Sequence, residues 1–374
     1  MKPSPIGLQK GKGPDDRRRQ GVWATLRIDK AGPPLGVLAS QAAVLAAAFG
    51  GGWAASAIGT PAGWISGAMV AVAALAAAGL AIPFSAPLRD LVIVIAGVAM
   101  GSGASPQALD ALSRYPLSLA MMALAVAAMT ISSYAVLVRG PGFSRQTALF
   151  AAIPGALSYV FIAAQGTNAD MPRVAVAQVF RIFVLMAIVP LFAGGRFGAG
   201  APVAGSHFDP PSVTLALVAL AGASGYALVR LGVASGLLYA AIGVSVLAHG
   251  LGLAPGRPQP AIQIAAQTLV GAWLGTRFIG FDWRLLRRLL IVASAAFAAA
   301  LAAAVLFAAL TAGLVKVPFI QALVAFAPGG LEAMTMMAFA LGLDPLFIGV
   351  HHLARFLLIS FALPWVAKGI GKSP

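Results

Sequence analysis

The sequence predicts an all-α polytopic membrane protein, and three observations carry that reading: its composition, the length of its apolar runs, and an internal repeat. Of 374 residues, 60% are hydrophobic and 9% are Asp, Glu, Lys or Arg, and the mean hydropathy is +0.92. A soluble globule carries about 25% charged residues, so this chain cannot cover a water-facing surface. That excludes a soluble enzyme, a secreted module and a disordered tail. A strand-built barrel would alternate apolar with polar residues, whereas these runs are apolar all round. The 43 glycines and 25 prolines suit a membrane bundle, where both are frequent and small residues let helix backbones approach closely.

Charge and Pro/Gly punctuation mark apolar segments near 35–58, 62–82, 88–104, 116–138, 146–165 and 172–194, then 211–230, 235–253, 261–278, 289–314, 317–342 and 345–367. Each is close to the roughly 20 residues that span a hydrocarbon core. Segments 88–104 and 261–278 are short and read as tilted, interfacial or re-entrant, which leaves about 10 to 12 hydrophobic segments. The expected organisation is a basic tail over 1–34, a first membrane repeat over 35–194, a Gly/Pro linker over 195–210 and a second membrane repeat over 211–374.

The formal charge of +15 is concentrated. Residues 1–34 hold eight Lys or Arg and three Asp, a net of +5. Positive-inside orientation places this tail in the cytoplasm. The run Arg17-Arg18-Arg19 has no interleaved aromatic residues and no folded module around it, so direct nucleic-acid binding is not expected. The apolar run from Leu35 is of spanning length, unlike the short core of a signal peptide. The absence of cysteine removes disulfides, thiolate metal sites and iron–sulfur clusters.

The repeat has a fixed offset of 174 residues. Gly97 and Gly101 fall on Gly271 and Gly275, Arg114 on Arg288, and Pro154, Gly155 and Leu157 on Pro328, Gly329 and Leu331. Further along, Asp170 falls on Asp344, Arg181 on Arg355 and Pro190 on Pro364. Alanine-rich chains match by chance at alanine, but not at Gly, Pro, Arg and Asp together. Six crossings per half would make the halves parallel and put the loop with Arg277, Arg284, Arg287 and Arg288 outside. One non-crossing segment inverts the halves and brings that loop inside, at the cost of exporting Lys368 and Lys372. The inverted arrangement is the preferred expectation.

Pro154-Gly155 and Pro328-Gly329-Gly330 lie inside apolar segments. Proline removes a backbone donor and clashes with the preceding turn, so both segments should break there. A broken helix at membrane depth is tolerated only where it is buried in protein or lines a cavity. A proline kink would explain one such site, but equivalent breaks in two repeats point to a transporter site. Arg181 and Arg355 lie in apolar runs where each charge costs at least ~2.5 kcal/mol on insertion scales. Glu332 is the only glutamate. At 1.5 Å per residue, Glu332 and Arg355 lie roughly 16–18 Å from the turn at Leu343-Asp344, near mid-membrane, as natural ion-pair partners. In the first half Ser158 stands where Glu332 would, so Arg181 is free to pair across the pseudo-symmetry axis or to meet an anionic substrate. A purely structural role, donating to broken-helix carbonyls, is equally open for Arg355. Gln178 and His352 precede the arginines by one helical turn and extend a polar stripe on the same face.

Enzyme chemistry finds little here. His351 and His352 are adjacent, about 100° apart on a helix, and cannot chelate one metal as an i, i+4 pair does. No Walker loop, dinucleotide fingerprint or nucleophile elbow appears. The methionines at 334, 336 and 337 read as packing. No cofactor, metal or catalytic residue is expected.

The stretches GWISGAMVAVAALAAAGL, VIVIAGVAMGSGASPQAL, LVGAWLGTRF and FAPGGLEAMTMMAFALGLDPLFIGVHHLARFLLISFALPW resemble the AbrB family of bacterial membrane proteins over most of residues 35–370. The resemblance implies an internally duplicated inner-membrane protein, with motif positions at Pro154, Gly155, Arg181, Pro328, Gly329, Gly330, Leu331, Glu332 and Arg355. It also implies distant kinship to secondary transporters with broken helices. Family names include ammonia monooxygenase and regulator of gene expression. The first is not supported by metal-ligand residues; the second, for a chain without a DNA-binding module, would have to be indirect. Ala156 and Ser158 depart from the glycine–glutamate pattern of the second half. The expected function is secondary transport of a small polar or anionic solute by alternating access, with a proton or sodium ion as coupling ion. The expected partners are the lipid bilayer and the solute, and a homo-oligomer is left open.

Overall fold

The computed structural model describes residues 35–102, 115–155, 160, 163–164, 167–195, 208–233, 236–254, 256 and 258–371. Among them are thirteen α-helices: α1 (Leu35–Ala57), α2 (Gly63–Ala77), α3 (Ala86–Gly101), α4 (Tyr115–Leu137), α5 (Arg145–Ala152), α6 (Met171–Gly195), α7 (Pro211–Arg230), α8 (Gly236–Gly250), α9 (Pro260–Gly275), α10 (Trp283–Val315), α11 (Phe319–Phe326), α12 (Leu331–Ala340) and α13 (Pro345–Gly371). Helices are what an apolar run must form when no water is available to its backbone groups. Six of them, α1, α4, α6, α7, α10 and α13, are long and apolar enough to cross a membrane. Large apolar side chains such as Ile131, Ile291, Leu306 and Phe361 face outward from these helices, where lipid rather than water suits them. The chain is an integral membrane protein of all-α class.

Polar residues set the starts of three helices. Ser144 Oγ accepts the Thr147 N–H at 3.2 Å at the start of α5, and Asp282 Oδ1 accepts the Leu285 N–H at 2.8 Å at the start of α10. Asp344 Oδ1 accepts from Leu346 and Phe347 at 2.9 and 3.1 Å at the start of α13. These bonds satisfy donors that a first helical turn leaves unpaired. Burial raises the Asp344 carboxyl above its ordinary pKa, opposed by those two N–H groups.

The 174-residue spacing reappears in the helices. α3 and α9 begin and end 174 residues apart, as do α5 and α11, and α6 and α13 begin at the same spacing. The segments read as short are the 16-residue helices α3 and α9, about 24 Å long at 1.5 Å per residue.

Helices of the two halves interlock through the glycines picked out by the repeat. A methyl placed on Gly97 of α3 would lie 2.5 Å from Ala241 Cβ of α8, and one on Gly101 would overlap Ser245. Conversely, a methyl on Gly271 of α9 would overlap the Ile65 carbonyl oxygen of α2, and one on Gly275 would lie 2.7 Å from Val72 Cβ. Glycines four apart give each helix a flat stripe on which the partner backbone can rest. Thus α3 packs in parallel on α8, and α9 in parallel on α2, each helix seated in the other half.

The equivalent long helices α4 and α10 run antiparallel. Ser132 Oγ donates to the Ala299 carbonyl at 3.3 Å, while a methyl on Gly140, just past α4, would lie 2.5 Å from Val292 Cγ2. Progress along α4 therefore matches regress along α10. α4 and α13 run in the same sense, since Tyr115 stacks edge-on with Phe347 and Ser118 meets His351 Nε2 at 2.8 Å. One end of the molecule accordingly gathers the end of α4, the starts of α5 and α6 and the start of α10, carrying Arg139, Arg145, Arg173, Arg284, Arg287 and Arg288. The other end holds the start of α4, Lys316 and Asp344.

Candidate functional site

α5 stops at Ala152 and α11 at Phe326 because the next-but-one residue of each is proline. Proline pushes the preceding residue out of the helical region, and Ile153 and Ala327 are extended, with ψ of 124° and 137°. Gly155 then takes φ of +89°, a left-handed conformation that costs glycine nothing. Gly329 has no such φ; a side chain there would meet Met334 Cγ at 2.6 Å. Gly330 caps the start of α12.

The last carbonyls of each short helix lack intrahelical partners, and side chains 25 to 28 residues later supply donors to them and to the break. In the first half Gln178 Nε2 donates to Phe150 O at 2.8 Å and Ile153 O at 3.1 Å. Arg181 Nη1 donates to Ile153 O at 3.1 Å, and Nη2 donates to Gln178 Oε1. In the second half His352 Nε2 meets Val324 O at 3.0 Å. Arg355 Nη1 donates to Ala327 O at 2.6 Å, and Nη2 donates to Gly329 O. Gln178 and His352 therefore hold equivalent carbonyls, and so do Arg181 and Arg355. A cation at a helix C-terminus also complements the helix dipole. Because a carbonyl only accepts, His352 carries its proton on Nε2.

The two breaks meet. A methyl built on Gly155 would lie 3.3 Å from Nε and Nη2 of Arg355, so the guanidinium that holds the second break also rests against the first. Arg181 and Arg355 are 4% and 2% exposed. Among the described residues neither has a carboxylate partner, and Arg181 Nε and His352 Nδ1 have no hydrogen-bond partner. Two buried cations, one of them with a spare donor, are expensive to hold without negative charge nearby.

The structure thus brings together Pro154, Gly155, Gln178, Arg181, Pro328, Gly329, Gly330, His352 and Arg355. Ser158 lies outside the described residues. Glu332 stands in the first turn of α12, but its side chain lies outside the described residues, and the expected Glu332–Arg355 pair with it. The breaks being gripped through backbone carbonyls goes further than the expected polar stripe, since Gln178 and His352 are themselves spent on those carbonyls. Sequence reasoning missed the adjoining His351, whose Nδ1 meets Phe347 O at 2.7 Å and Nε2 meets Ser118 Oγ at 2.8 Å. Its one signal was a second histidine beside His352, and nothing in it pointed to Ser118, 233 residues away. Both histidines are thereby held by protein atoms, and among the described residues no three His, Cys, Asp or Glu group as a metal site would.

The chain is 24% identical over 346 residues to the uncharacterized protein YhjN of Bacillus subtilis (strain 168), covering 86% of this chain and 90% of that protein. A family model described as "Transition state regulatory protein AbrB" matches residues 64–371, and with that span, which takes in both Pro-Gly breaks and both buried arginines, the chain belongs to the AbrB family.

Proposed function

We propose that this protein is a secondary-type transporter of a small anionic or polar solute, working by alternating access around the two Pro-Gly breaks. The observation that carries the reading is the pair of buried arginines, each holding the carbonyls of its own broken helix while Arg355 also touches the other break. Such breaks suit a solute site because they expose helix ends and backbone groups at depth. The spare donor on Arg181 is the group offered to an anion, and Glu332 is the candidate for proton coupling or ion pairing, with a proton or sodium ion as coupling ion.

The halves are read as inverted repeats. Antiparallel packing of equivalent helices α4 and α10 supports this, because parallel repeats would point them the same way. The arginine-rich end then faces the cytoplasm under the positive-inside rule. α13 runs from the end with Asp344 toward the basic end, so Lys368 remains inside, relieving the charge conflict in the loop count. α1 also begins at the basic end, since α2 runs parallel to α9 and antiparallel to α1. On this reading the N-terminal side is cytoplasmic and the membrane is the inner membrane of a bacterium, and the direction of α1 supports it. The regulatory description of the family would apply to this chain only indirectly, through a solute whose level it sets.

Reconstitution tests the site. Glu332→Gln and Arg181→Ala should each reduce solute uptake into proteoliposomes to background while leaving a folded protein by size exclusion. Unchanged uptake in both variants would remove the assignment.

A further inference from the structure

A broken segment can cross the bilayer or turn back at its break, and the packing of its neighbours distinguishes the two. In the first half Thr147 Oγ1 accepts the Asp170 N–H at 3.0 Å and Gln146 Oε1 accepts the Asn168 N–H at 2.9 Å. Deeper in, Gln178 reaches Phe150 O and Arg181 reaches Ile153 O. Hence α5 and α6 start side by side and run in the same sense. A segment that left α5 and crossed completely would deliver the chain to the far end, and α6 would have to return antiparallel. The second half repeats the pattern: His352 reaches Val324 O and Arg355 reaches Ala327 O, so α11 and α13 also start at one end and run in parallel.

We infer that both Pro-Gly segments are re-entrant: the chain enters with α5 at the arginine-rich end and is back there at the start of α6, and it enters with α11 at the opposite end and is back there at the start of α13, while Arg355, which holds the second break, rests against Gly155 of the first. The short segments α3 and α9 are then not the re-entrant ones. On the transport reading, which this deepens, the shared site lies where the two breaks meet, between a segment entered from the basic end and one entered from the other. Two opposed hairpins give each half five crossings, which inverts the halves and brings the start of α1 and the end of α13 to one side.

The chain contains no cysteine, so single cysteines can be read directly with a membrane-impermeant maleimide on sealed vesicles of known orientation. Arg139→Cys and Asn168→Cys flank the first hairpin and should label from the same face. Lys316→Cys and Leu343→Cys flank the second and should label together from the opposite face. Flanks of either hairpin that label from opposite faces would overturn the proposal. Pro141→Cys or Val317→Cys replaces a first-choice variant that fails to insert, and labelling after detergent lysis checks that each thiol is reactive. Because labelling needs no transported solute, loss of the transport reading would leave this result standing, and the reverse also holds.

Discussion

Arg355→Ala is expected to lower stability by about 2–5 kcal/mol, because two buried carbonyls lose their donors and a cavity replaces the side chain. The substitution leaves Ala327 O and Gly329 O without the donors that hold them, and each buried unpaired polar group costs about 1–3 kcal/mol. It also leaves a void against Gly155, where the guanidinium rests. Arg355→Lys should recover only part of the loss, because an ammonium keeps the charge but cannot present a planar fork to two carbonyls. Thermal unfolding of the detergent-solubilised protein measures both. An alanine variant melting with the parent would show that the break is held by something other than Arg355. Arg181→Ala removes one carbonyl bond and one bond to Gln178, and should destabilise less.

The second large effect concerns the interlocked helices. Gly271→Leu is expected to destabilise by about 3 kcal/mol or more, the upper part of the range for forcing extra methylenes into a packed interior. Its Cβ would overlap the backbone oxygen of Ile65, and backbone cannot rotate away as a side-chain tip can. Gly97→Leu, against Ala241 Cβ at 2.5 Å, should do comparable harm in the equivalent place. Gly243→Ala is the control: a methyl there has nothing within 4 Å, and exchanging a helical glycine for alanine should gain up to about 1 kcal/mol. The comparison is made on unfolding curves of the three variants. Equal behaviour of Gly271→Leu and Gly243→Ala would mean that the close approach of α9 to α2 contributes nothing to holding the halves together.

Much of the site was legible because its parts are chemically conspicuous. Proline and glycine inside an apolar run announce a break, and arginine in such a run announces a buried cation. Their recurrence at a fixed offset announced that the two sets are equivalent. Donation to broken-helix carbonyls was one of the open roles for Arg355, but which carbonyls each arginine takes was not legible. Arg181 and Arg355 spend their donors on the carbonyls of Ile153, Ala327 and Gly329, and every residue carries a carbonyl, so no residue type marks the acceptor. The Glu332 side chain lies outside the described residues, so its expected pairing with Arg355 stays a proposal. Gln178 shows the same limit: its position one turn before Arg181 was visible, but its commitment to Phe150 O and Ile153 O depended on where α5 lies.

By itself the sequence determined the solvent of this protein and its helical class, because both follow from composition and the length of apolar runs along one chain. Only the tertiary structure decided that α3 and α9 are seated in opposite halves, that α4 opposes α10, and that α5 lies along α6 in the same sense. A glycine pair offers a flat surface without naming the helix that will use it, and a Pro-Gly break reads the same whether the chain continues or turns back. Direction is a property of packed neighbours, and the packing of carbonyls against distant side chains supplies it.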